Sequence, residues 1–180
     1  MTILASALGA GVMAPIPPVE VRQILGLLET IRTRGGDVEF FRLTAELGQG
    51  FTRVLLAVKA AELLAFVTTP EDHLALTELG RQVVAAPRKL RRQLFREQLV
   101  RVPLVKRILE MAQHSDEQRL AKDVLLEELA IQCPQEEPKR LLRILINWGR
   151  FAELWDYQAT TATLTLNGTR GATKESAHAG

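Results

Sequence analysis

The chain has 180 residues, 47% hydrophobic and 24% charged, which suits one packed domain or two small ones and excludes disorder over its whole length. Its 23 Lys+Arg against 21 Asp+Glu leave a net charge of +2, far from the strongly basic balance of a dedicated nucleic-acid binder.

Residues 1–19 carry no charge. A secretory signal needs Lys or Arg before its apolar stretch, and none is present. Gly9, Gly11, Pro15, Pro17 and Pro18 interrupt the run, so it does not read as a membrane span of about 20 residues. Gly9 to Ala14 matches the spacing of a dinucleotide-binding turn, but the prolines forbid the helix that must follow. The segment reads as a flexible leader ending in a Pro-rich spacer.

From Val21 to Ile31, apolar residues recur at helical spacing, and Gly35-Gly36 ends that helix. Asp37 is the expected N-cap of a second helix, which holds Phe40, Phe41, Leu43 and Leu47 and stops at Gly48. A third helix spans Thr52 to Leu63, with Val54, Leu55, Val58 and Leu63 on its apolar side. Apolar residues at 64–68 and 73–76 flank Thr69-Pro70-Glu71-Asp72 and predict a β-hairpin. Thr77 caps a short helix through Val84. Three helices followed by a hairpin is the winged-helix arrangement.

The pattern then recurs. Pro87 opens a helix to about Arg101, and Pro103 opens another through Gln113. Leu120–Ile131 and Pro134–Trp148 are further helical segments, the last with Leu141, Leu142, Leu145 and Ile146 inward. Gly149 breaks it, and Phe151–Trp155 with Thr163–Leu166 predict a second hairpin. The expected fold is mainly α with short β-hairpins, built as tandem winged-helix-like units. The first covers 20–86. The second covers 87–167 and includes a connecting basic helix. Residues 168–180 form a short flexible tail.

Catalytic motifs are missing. The chain has no G-x-x-x-x-G-K-[ST], no G-x-S-x-G and no H-E-x-x-H. The single cysteine, Cys133, excludes an internal disulfide and the multi-cysteine zinc motifs. His73, His114 and His178 are scattered, so no local metal-ligand spacing exists. Glu127-Glu128 and Glu136-Glu137 are adjacent pairs, which diverge on a helix and make poor acid/base dyads. No cofactor, no metal and no enzymatic activity are expected. Phe66, Trp148, Gly149 and Phe151 read as structural residues around the helix-to-hairpin junctions.

Charge distribution is the strongest physical signal. Between 87 and 107 stand Arg88, Lys89, Arg91, Arg92, Arg96, Arg101, Lys106 and Arg107, opposed only by Glu97. This segment carries +7 and the rest of the chain −5. Leu90, Leu94, Phe95, Leu99 and Val102 recur on its other side, which predicts a buried apolar stripe under an arginine face. Arg88, Lys89, Arg91, Arg92 and Arg96 are therefore the candidate interaction surface, toward an acidic protein, anionic lipid or phosphate. The competing expectation is that these cations pair with acids of the same chain, such as those at 116–137.

DNA binding is the alternative. Its candidate contacts are Arg53 and Lys59 in the first unit and Lys139, Arg140 and Arg143 in the second. The first unit's third helix is otherwise mostly Ala, Leu and Val, which is poor equipment for base readout. Glu71 and Asp72 in its wing would repel phosphate. A small anion held between the two halves is a third reading, without a specific pocket motif.

Several strings, in order and spacing, resemble the C-terminal AAA-associated domain family. They are Ile24-Leu25-Gly26-Leu27-Leu28-Glu29, Gly35-Gly36-Asp37, Ala60-Ala61-Glu62-Leu63-Leu64-Ala65-Phe66 and Leu76-Thr77-Glu78-Leu79-Gly80-Arg81. Leu94-Phe95-Arg96-Glu97-Gln98-Leu99, Val102-Pro103-Leu104-Val105 and Asn147-Trp148-Gly149-Arg150-Phe151-Ala152-Glu153-Leu154-Trp155-Asp156-Tyr157 complete the set. The resemblance covers about residues 20–167. That family follows the ATPase domain of nitrate-, sulfonate- or bicarbonate-type ABC importers, and also occurs as free-standing chains. The resemblance implies an accessory or regulatory role on an ABC-transporter ATPase, with no catalytic residues to carry over. It also implies a cytoplasmic location, free or at the cytoplasmic face of the inner membrane, with no membrane insertion. A homodimer is compatible with it.

Overall fold

A computed structural model describes residues 13–48 and 50–168. The charge-free residues 1–12 and the tail from 169 lie outside the described residues. The fold is mainly helical, with two small antiparallel sheets.

The first unit runs α1 (Val21–Thr33), β1 (Asp37–Glu39), α2 (Phe40–Leu47), α3 (Phe51–Leu63), β2 (Val67–Thr68) and β3 (His73–Leu76). Then come α4 (Glu78–Ala85) and α5 (Arg88–Leu99). The second unit repeats the order as α6 (Pro103–Gln113), β4 (Arg119–Ala121), α7 (Lys122–Gln132), α8 (Pro138–Phe151), β5 (Trp155–Gln158) and β6 (Thr163–Leu166). Each sheet places its latest strand in the middle: β1-β3-β2 and β4-β6-β5. Val38 faces Leu74 in one, and Leu120 faces Leu164 in the other.

The two α3/β2 and α8/β5 junctions share one backbone device. After α3, the N–H groups of Leu64, Ala65 and Phe66 bond the carbonyls of Ala60, Glu62 and Ala61. After α8, those of Ala152, Glu153 and Leu154 bond Trp148, Arg150 and Gly149. Ala65 and Glu153 both take the left-handed conformation, at φ 58° and 55°. This turn satisfies carbonyls that a helix end leaves unpaired.

Several boundaries differ from the sequence expectation. Asp37 is not an N-cap but the first residue of β1, and Glu39 precedes α2. Leu120 belongs to β4, and its helix starts at Lys122. α8 starts four residues after Pro134, with Pro138 in its first turn. Strands of three residues are too short to show alternation, so pairing with a distant hairpin decided both. On α3, Val54, Ala57, Val58 and Ala61 are buried, whereas Leu55 is half-buried and Leu63 exposed. The inward face follows i, i+3, i+4 and i+7 through small residues rather than the large ones.

The spacer before α1 is packed from Met13 onward. Ile16 and Val19 are 1% and 2% exposed. The Met13 N–H bonds the Gln132 carbonyl at 2.8 Å, and the Trp148 indole N–H bonds the Val19 carbonyl at 2.7 Å. Asn147 Oδ1 accepts from the Val21 N–H. The spacer thus docks against α7 and α8 of the second unit. Phe95 on α5, fully buried, meets Phe66, Trp148 and Phe151 edge-on or tilted. One continuous apolar core therefore joins both units. No helix among the described residues is long and apolar enough to cross a membrane.

Candidate interaction surface

α5 has no single arginine face. Arg91 is half-buried and donates to three carbonyls: Val83 at 2.9 Å, Val84 at 3.0 Å and Ala86 at 3.1 Å. These are end groups of α4, so the guanidinium fork caps that helix. Arg92 pairs with Glu153 at 2.6 Å and lies over the Phe151 ring at 5.9 Å. Arg96 reaches the Glu153 carbonyl at 3.4 Å. Of the five candidates, Arg88 and Lys89 stand exposed and make no hydrogen bond or ion pair among the described residues. Leu90, expected in the buried stripe, is 42% exposed, and Phe95 and Leu99 supply the buried contacts.

The intramolecular partners are mostly not those at 116–137. Only Arg107 finds one there, bonding Glu128 at 2.7 Å. That bond holds the Glu128 carboxyl below the usual carboxylate range, against the opposing effect of burial. Arg91 uses backbone carbonyls at the end of α4, and Arg92 and Arg96 reach Glu153, which is far along the chain.

Structural residues sit at the unit boundary. Phe66 and Trp148 are fully buried and Phe151 is half-buried. Gly149 packs so closely on Trp155 that a Cβ there would stand 2.0 Å from the indole ring. Gly80 meets the same constraint against the Phe66 carbonyl, also at 2.0 Å. Cys133 is buried and its thiol is pushed up, first by burial and then by Glu136. That is the opposite of an activated nucleophile.

The five candidate DNA-contact residues, Arg53, Lys59, Lys139, Arg140 and Arg143, are all exposed. Arg53 begins α3 and Arg140 begins α8, yet both line a cleft of about 590 Å³. Arg22 of α1 lines it too, beside Glu20, to which it pairs at 2.8 Å. Phe51, half exposed, forms part of the same wall. Its ring meets Phe40 at 5.2 Å and Phe41 at 6.3 Å. Phe41 is 57% exposed. An aromatic cluster therefore continues into a cationic cleft at the corner of α2, α3 and α8.

Sequence reading missed this corner. Phe40 and Phe41 share one helix, α2, as expected, but neighbours 100° apart cannot both face the core, and Phe41 is left exposed. Arg22 gave no signal, being a lone cation in an amphipathic helix. The first sheet carries a different charge. His73 bonds Asp37 at 2.6 Å across β3 and β1, with Glu39 and Asp72 nearby. The Asp37 hydrogen bond is the main cause that raises the His73 pKa above the usual histidine value.

The fold is mainly α-helical and repeats one αβααββ unit twice, each with a small antiparallel sheet. Residues 41–158 match the C-terminal AAA-associated domain. The chain belongs to that family. Among curated proteins and solved structures, none matches the chain.

Proposed function

We propose that the protein is a non-catalytic accessory subunit or domain that associates with the ATPase of an ABC-type anion importer and modulates import. The observation that carries this reading is the family match over 41–158. Each unit is read as a winged helix used for protein contact, and the site of action as the cytoplasmic side of the membrane. Charge supports contact with protein over duplex DNA: the first wing carries Glu71 and Asp72, and the neighbouring strand β1 adds Asp37, paired with His73, and Glu39, acids that repel phosphate. Co-purification with the cognate ATPase, followed by its ATPase rate with and without this protein, tests the reading. Stable association with an altered rate is expected. No association and an unchanged rate would dismiss it.

One observation favours a second reading, DNA binding by the second unit. Lys139, Arg140 and Arg143 project from the start of α8. A mobility shift on duplex DNA that weakens steeply with salt would support it.

A further inference from the structure

We infer that the corner formed by Phe41, Phe51, Arg53 and Arg140 is where the partner ATPase docks, through an acidic segment carrying a large apolar side chain. This rests on the accessory reading above and deepens it by naming the surface and the partner's chemistry.

Two independent features meet there. The first is apolar. Phe41 and Phe51 are 57% and 50% exposed, stack on each other and both meet Phe40 edge-on. Scattered exposed hydrophobes are ordinary, but three contacting rings form a contiguous patch of the kind that marks an interaction site. Aromatic anchors of this type supply most of the energy of protein interfaces. The second is charge. The Arg53 and Arg140 side chains have no ion-pair or hydrogen-bond partner among the described residues, unlike those of Arg91, Arg92 and Arg107. They come from different units and line one cleft, together with Arg22, whose guanidinium is already paired with Glu20; none of the residues lining the cleft is itself an acid. Cations converging in a concavity raise the local concentration of an anionic group.

Phe51 belongs to both features, because its ring is part of the aromatic cluster and part of the cleft wall. A ligand matching both must join carboxylates to an apolar side chain within a few residues, as an acidic peptide segment does. A flat anionic bilayer would meet the exposed rings but has no projecting segment to enter the cleft between α1, α3 and α8. The exposed pair Arg88 and Lys89 on α5 has charge without the aromatic neighbour.

The test measures affinity of the full chain for the cognate ATPase by interferometry at several salt concentrations. Variants are Phe41→Ser, the double variant Arg53→Glu with Arg140→Glu, and Arg88→Glu with Lys89→Glu. All five positions are exposed, and circular dichroism verifies the fold of each. Loss of at least about tenfold is expected for the first two, with a reduced salt slope for the arginine variant. The α5 variant should stay within about twofold. Wild-type binding with undiminished affinity in the first two variants would overturn the inference and leave the accessory reading standing. Failure of the wild-type chain to bind would remove both. Sedimentation with phosphatidylglycerol vesicles, lost in the corner variants while ATPase affinity is kept, would also overturn it in favour of a membrane contact. Concentration-dependent dimerisation lost in those variants, again with ATPase affinity kept, would assign the corner to a second copy and overturn it likewise.

Discussion

The two units share a backbone plan but fill it with different side chains. At the end of the third helix of each, the same three hydrogen bonds and one left-handed residue turn the chain into its hairpin. The residue that accepts from the helix C-cap is Ala60 in the first unit and Trp148 in the second. Both are fully buried. Ala60 adds only a methyl group to the core, whereas Trp148 extends to the Val19 carbonyl and to Phe95. The first residue of the following strand is Val67 in one unit and Trp155 in the other. A given turn therefore constrains the path of the chain, while the volume packed behind it sets how units join. The second unit does the joining.

The largest expected effect breaks that asymmetry. Trp148→Ala should destabilise the protein by about 3–5 kcal/mol, since it leaves a cavity and an unpaired Val19 carbonyl. Chemical denaturation measures it, and a change within error would refute Trp148 as the junction. Gly149→Ala should cost about 1–3 kcal/mol or more, because its Cβ would collide with Trp155. Gly80→Ala, which meets backbone instead of a side chain, should be at least as costly, so the pair compares the two units directly.

A middle-sized effect separates the cations of α5. Arg91→Met should cost about 1.5–3 kcal/mol by stripping three carbonyls of their donor. Arg88→Met should lie within about 0.5 kcal/mol of wild type. Equal losses would show that exposure does not sort these residues.

The smallest effects concern pH, and they have opposite signs in the two units. His73 has a raised pKa through Asp37, so its contribution is fully present below the ordinary histidine pKa and fades as pH rises through the raised one. Glu128 has a lowered pKa through Arg107, so its contribution is present above the ordinary carboxylate pKa and fades as pH falls through the lowered one. NMR titration of each, with Asp37→Asn and Arg107→Met as partners, should return each group toward its ordinary value. A titration unmoved by either substitution would contradict the pairing.

The order of helices, the first hairpin and the capping Thr77 were legible because glycine, proline and helical periodicity act over a few residues; the second hairpin was expected too early, since α8 runs through Gly149 to Phe151 and β5 starts at Trp155. Thr77 Oγ1 does accept from the Gly80 N–H. The strands β1 and β4, of three residues each, exist only because β3 and β6 present a free edge far along the chain. The candidate surface was the least legible part. A run of eight cations between 87 and 107 looks uniform in sequence, since every arginine has the same charge and a long flexible stem. Which of them cap a helix, cover a ring or face solvent depends on where α4, Glu153 and Glu128 end up. Sequence by itself determined that the chain would be helical, with two repeated units and a concentrated positive charge. Only the tertiary structure decided that Arg91 and Arg92 are spent inside, and that Arg53 and Arg140, drawn from separate units, stand together beside exposed phenylalanines. Local chemistry sets elements, but the convergence of side chains distant in sequence is set by packing.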